Sequence, residues 1–106
     1  MTQIRTPEGY QDLGTQSAFT GDGEIAPGTA YASVDAAASA DVTLPAATAI
    51  GGATLIVENL SAVNTINIVA AAGETVNGGA AVLAVPVSTA VLIVRSGPTA
   101  LRLIEL

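Results

Sequence analysis

From residue 31 onward the chain reads as short runs that alternate with a period of two or are apolar on both faces. Residues 65–69, Thr-Ile-Asn-Ile-Val, alternate most cleanly, with Ile66 and Ile68 on one face and Thr65 and Asn67 on the other. Residues 54–58, Thr-Leu-Ile-Val-Glu, predict a strand that ends where Asn59 begins a turn. Further short strands are expected at residues 31–34 and at residues 41–44, where Pro45 stops the ladder. Another is expected at residues 74–76, followed by Asn77-Gly78-Gly79. That triplet signals a hairpin, because Asn and Gly tolerate positive φ. Residues 82–87 form a run broken at Pro86, which predicts an edge strand or a bulge. Residues 89–95 and 100–106 close the series, joined through Ser96-Gly97-Pro98.

Between these runs lie loops. Residues 35–40 are alanine-rich but too few to hold a helix alone. Residues 46–50 read as a connector and Gly51-Gly52 as a turn. Seven or eight short strands with turns every 8 to 12 residues predict an all-β fold, a compact antiparallel sandwich or small barrel. Residues 54–57 (Thr-Leu-Ile-Val) and 91–94 (Val-Leu-Ile-Val) echo one another and read as matching strands of two sheets.

Residues 1–28 differ. They hold Pro7, Pro27 and five glycines, with isolated apolar residues and no sustained period. The expected organisation is an extended N-terminal arm over 1–28 and a β-rich assembly domain over 29–106. Two of the three aromatics, Tyr10 and Phe19, lie in the arm, and aromatics anchor interfaces. Ile4, Arg5, Tyr10 and Phe19 are therefore the candidate docking residues.

Charge divides along the same line. Through Asp41 the chain has six acids and one arginine, and after it three acids and two arginines. The body is close to neutral, so an arm binding by charge requires a basic receiving surface. A formal net charge of −6 with no lysine leaves no basic footprint for nucleic acid and disfavours anionic membranes. No secretory signal or run long enough to span a bilayer is seen, and a soluble protein or particle component is expected.

Candidate chemistry is sparse. With no cysteine and no histidine, disulfides, Cys/His zinc sites and Ser-His-Asp or Cys-His catalysis are excluded. No calcium-loop motif is present, and Asp22-Gly23-Glu24 reads as a solvated turn. Glu58 and Glu74 are the acids well inside the body, and each reads as a strand or turn residue rather than half of a glycosidase pair. No enzyme activity and no cofactor are expected.

The two-sided strands carry the strongest inference. In residues 91–94 and 101–104 successive side chains point to opposite faces, yet nearly all are apolar. One face fills a core, and the other must be covered by a second sheet or a neighbouring subunit. Half the residues are hydrophobic, but much of that is alanine, so oligomerisation would supplement a modest core. Val91, Ile93, Leu101 and Leu103 are the candidate subunit-interface residues.

Taken in order, the motifs of residues 30–106 resemble a module of tailed-bacteriophage structural proteins, of the head-decoration and fibre type. The pieces are a strand ending in Val-Thr-Leu-Pro (42–45), the connector at 49–52, Thr-Leu-Ile-Val-Glu-Asn (54–59), the strand at 64–68, Ala-Gly-Glu-Thr-Val-Asn-Gly-Gly (72–79) and Ser96-Gly97. Fibre versions commonly carry an aromatic after the last of these, and residues 98–102 have none. The resemblance implies an all-β homotrimer without catalytic residues. It leads to the expectation of a virion protein made in the host cytoplasm and seated on the capsid exterior, decorating or cementing the head through the major capsid protein. A chain of this length is short for a fibre, and the alternative is a fibre or receptor-binding module recognising a host-surface glycan.

Overall fold

The computed structural model describes residues 2–6, 9–50 and 54–106, with side chains described from residue 16 onward. The chain is all-β. Among the described residues eleven strands form two sheets: β1 (Thr2–Thr6), β2 (Gly9–Phe19), β3 (Gly23–Glu24), β4 (Thr29–Val34), β5 (Ala40–Thr43), β6 (Thr54–Asn59), β7 (Ile66–Val69), β8 (Thr75–Val76), β9 (Val82–Val85), β10 (Ala90–Gly97) and β11 (Ala100–Glu105). Among the described residues, helix is confined to one 3₁₀ turn, Ala47–Ala49, within the expected connector. The Gly51-Gly52 turn lies outside the described residues.

The larger sheet has the order β1-β2-β4-β6-β10-β11-β8, and the smaller one β3-β5-β7-β9. From β2 to β9 the chain alternates strictly between the two sheets, each strand handing over to the other layer. Successive strands of one layer therefore arrive in the same direction: β2, β4 and β6 pair in parallel, as do β3, β5 and β7. The expected antiparallel arrangement is corrected by this coiling. A tight hairpin forces antiparallel pairing, whereas a connection that crosses the core and returns produces parallel pairing. Antiparallel pairing survives where the chain stays within one sheet (β1–β2 and β10–β11), and also at β6–β10 and β7–β9.

The facing layers enclose one core. Ala32, Val34, Leu55, Val57, Val91, Ile93 and Leu101 supply it from the larger sheet, and Val42, Ile66, Ile68 and Val85 from the smaller. The period of two in β7 does what its pattern predicts, burying Ile66 and Ile68. The Thr-Leu-Ile-Val and Val-Leu-Ile-Val segments are not counterparts in two sheets. They pair with each other in one ladder, Leu55 opposite Ile93 and Val57 opposite Val91. Burial of the same alternate positions on adjacent strands makes this register self-consistent.

Asn77 and Gly78 both adopt positive φ, at 54° and 85°, the turn that Asn-Gly favours. It closes a single bridge, Val76 to Ala80, and the chain then leaves for the other sheet. The expected hairpin is thus split: β8 pairs in parallel with β11, and β9 pairs with β7. Strand β9 is one edge of the smaller sheet and stops before Pro86.

The N-terminal boundary also moves. Residues 15–19 of β2 pair with β4, Gly23–Glu24 pairs with β5, and Ile25 is buried in the core. What pairs outside the body is β1 with residues 9–14 of β2, a two-stranded ribbon.

Candidate assembly surface

On the outer face of the larger sheet the register aligns one row of residues across five strands. Gln16 pairs with Tyr31, Tyr31 with Ile56, Ile56 with Leu92, and Leu92 with Ile104. At about 4.8 Å per strand the row runs for about 19 Å. It begins polar and becomes apolar toward β11. Val94 lies beside it on β10, the last residue of the row, Ile104, is 48% exposed, and Leu106 further along the chain is 67% exposed. The row exists because the parallel return of β4 and β6 and the antiparallel return of β10 and β11 keep the same parity of residues outward.

Gln16, Ala30, Tyr31, Thr54, Ile56 and Leu92 line an open hollow of about 400 Å³ on this face. At its margin the Tyr31 hydroxyl donates a 2.6 Å hydrogen bond to Glu58 Oε1. The Tyr31 pKa is pushed up to about 12, first by this bond, then by burial and by the Glu58 charge. Arg102, paired in register with Val94, is a cation of the same face.

The four candidate interface residues point the other way. Val91, Ile93 and Leu101 are buried within the chain's own core, and Leu103 packs against it. Parity explains the correction: in both strands the buried set is odd-numbered, leaving Leu92, Val94 and Ile104 outward. The two-sided pattern was visible in the sequence, but nothing in it distinguished one apolar face from the other.

Among the arm candidates, Phe19 is partly buried against the core, tying β2 to the body rather than reaching outward. Ile4 and Arg5 lie on β1, in register with Gln11 and Tyr10 of β2. The side chains of Ile4, Arg5 and Tyr10 lie outside the described residues.

Both body acids have structural partners. Glu58 accepts from Tyr31, and Glu74 Oε1 accepts from the backbone N–H of Ala47 at 2.9 Å, at the start of the 3₁₀ turn. Among the described residues no cluster of acids is suited to hold a metal ion, and no helix is long and apolar enough to cross a membrane.

A residue that sequence reasoning treated only as a turn former is central to the fold. Asn59 is fully buried. Its Nδ2 donates to the carbonyl of Asn64 at 2.8 Å and reaches those of Pro86 and Val85 at 3.1 and 3.3 Å, while its Oδ1 accepts from Ser61 N at 3.0 Å. Ser61 Oγ in turn accepts from the N–H groups of Val63 and Asn64. This knot joins the loop after β6 to the end of β9 and so holds the two sheets in register at one end.

No family model, curated protein or solved structure matches the chain.

Proposed function

We propose that this chain is a non-enzymatic structural protein of a tailed-phage particle, a homotrimeric decoration protein that seats on the outside of the head and stabilises it. The observation that carries this reading is the N-terminal ribbon. Residues 9–14 of β2 pair with β1 alone, while the next five residues join the body through β4. A lone two-stranded ribbon is marginal in water, and one that overhangs its own sheet gains stability by docking on a second surface. The sequence of residues 2–14 holds two acids, Glu8 and Asp12, and one arginine, Arg5, so the receiving surface on the major capsid protein is expected to be basic. The resemblance of residues 30–106 to phage head and fibre modules supports the assignment of the particle. The structural roles of Glu58 and Glu74 support a non-catalytic reading.

The test is deletion of residues 2–14. The truncated protein is expected to fold and to keep its subunit number, yet to be lost from purified heads that bind the intact protein. Full occupancy of the heads by the truncated protein would remove the docking role of the ribbon.

A further inference from the structure

We propose that Asn77 is a site of spontaneous covalent modification, losing its side-chain amide to give aspartate and isoaspartate in the turn beside β8. The inference is independent of the capsid and of assembly.

The chain has four asparagines, at positions 59, 64, 67 and 77, and their amide nitrogens are held differently. Nδ2 of Asn59 donates to the carbonyls of Asn64, Pro86 and Val85. Nδ2 of Asn64 donates to the carbonyl of Ala36 at 2.9 Å, and Nδ2 of Asn67 to Asp41 Oδ1 at 2.9 Å. Asn77 is reversed: its Oδ1 accepts from the N–H of Leu103 at 2.9 Å, and its Nδ2 has no protein partner among the described residues. The next residue differs as well. Leu60, Thr65 and Ile68 follow the first three, whereas Gly78 follows Asn77. Asn77 and Gly78 are both exposed. Among the described residues the Gly78 N–H has no backbone partner. A Cβ at Gly78 would meet nothing within 4 Å, so the nitrogen is open to solvent base and uncrowded.

These features suit one reaction, with water as the co-reactant. Solvent base takes the Gly78 amide proton, and the nitrogen attacks Asn77 Cγ. As the N–Cγ bond forms, the carbonyl electron pair moves onto Oδ1. The Leu103 N–H already aimed at that oxygen stabilises the charge, as a preorganised donor does in an oxyanion hole. The pair returns as the Cγ–Nδ2 bond breaks, and Nδ2 takes a proton from water and leaves as ammonia. A five-membered imide remains. Water opening it at Cγ gives aspartate. Water opening it at the main-chain carbonyl of residue 77 gives isoaspartate, whose backbone runs through Cβ and Cγ.

The two products act differently on the fold. Aspartate keeps the acceptor for the Leu103 N–H and strengthens that bond by its charge. Isoaspartate adds a methylene to the turn that Val76 and Ala80 close, where Val76 N–H donates at 2.8 Å and Ala80 N–H at 3.1 Å. Val76 is fully buried and pairs with Leu101, so the longer turn loosens β8 from β11.

The experiment incubates the purified full-length protein, folded, at neutral and mildly alkaline pH and maps its peptides by mass spectrometry. Residue 77 is expected to convert from amide to acid, faster at the higher pH, with isoaspartate detected by enzymatic methylation and the protein shifted to a more acidic isoelectric point. Asn59, Asn64 and Asn67 are expected to stay intact. The isoaspartate fraction is expected to unfold at a lower temperature than an Asn77→Asp protein, which keeps the bond to Leu103. No conversion at residue 77 under conditions where the urea-unfolded chain converts there, or earlier conversion at another asparagine, would overturn the proposal. An isoaspartate fraction as stable as Asn77→Asp would overturn its effect on β8.

Discussion

Tyr31 and Glu58 are bonded diagonally across β4 and β6. The register partner of Tyr31 is Ile56, and that of Glu58 is Ser33, yet the phenol reaches the carboxylate at 2.6 Å. Diagonal pairs on a sheet lie within reach of long side chains, and a hydrogen bond to an ionised acceptor is among the stronger kinds. The bond is possible only because the parallel register of β4 and β6 sets these two residues one diagonal step apart.

The pair predicts a dependence on alkaline pH. The Tyr31 pKa rises from about 10 in the unfolded chain to about 12 when folded. Above about pH 10 the unfolded state releases this proton first, so it binds fewer protons than the folded state and stability falls with rising pH. The contribution is fully present below about pH 10 and is lost as pH climbs through about 12. A phenolate absorbance titration of a Tyr10→Phe variant, in which Tyr31 alone reports, is expected to show the raised midpoint. Glu58→Gln is expected to move that midpoint back toward the ordinary value.

Replacing Asn59 by leucine is expected to lower stability by about 2–4 kcal/mol, because buried carbonyls and the Ser61 N–H lose their partner together. The midpoint of urea unfolding measures the loss. Asn59→Asp should be worse at neutral pH than in acid. Burial beside carbonyl oxygens disfavours the carboxylate and raises its pKa, so the penalty grows as pH rises above about 3.9, the ordinary aspartate value.

Gly23 is required by Phe19. A Cβ at position 23 would stand 2.6 Å from two carbons of the Phe19 ring, a distance no packed side chain tolerates. Gly23→Ala is expected to cost about 1–3 kcal/mol through the displaced ring. Adding Phe19→Leu should make the combined loss smaller than the sum of the two, which a double-mutant cycle of unfolding free energies would reveal.

The two ways of shortening the N-terminus separate arm from body. Deletion of residues 2–14 removes only the ribbon, and the thermal unfolding transition is expected to stay cooperative. Deletion of residues 2–24 also removes Phe19, the β2–β4 pairing and all of β3. That variant is expected to unfold at a clearly lower temperature or to be recovered as aggregate, because the edge of β4 is then bare.

Much of the body was legible in the chain. All eight strands expected after residue 30 are present, because β-branched runs broken by Gly, Pro and Asn carry their own boundaries. The strands before residue 28 were missed, since Gly-, Thr- and Gln-rich segments show no period. Residues 15–19 are ordered by pairing with β4 and by the Phe19 ring rather than by their own pattern. The candidate surface was half legible. The presence of two apolar faces on β10 and β11 followed from composition, but the choice between them followed from register.

What the sequence determined by itself is local: where strands begin and end, which positions alternate, how little charge the body carries, and that chemistry requiring Cys or His is excluded. Which strands pair was decided only by the tertiary structure. The alternation of the chain between two layers turned expected hairpins into parallel neighbours, and it made partners of the Thr-Leu-Ile-Val and Val-Leu-Ile-Val segments. It also aligned Gln16, Tyr31, Ile56, Leu92 and Ile104, residues far apart in the chain, into one row. The physical reason is that alternation sets the relative parity of side chains within a strand, while the absolute choice of inward face depends on the neighbouring strands and the sheet packed against them.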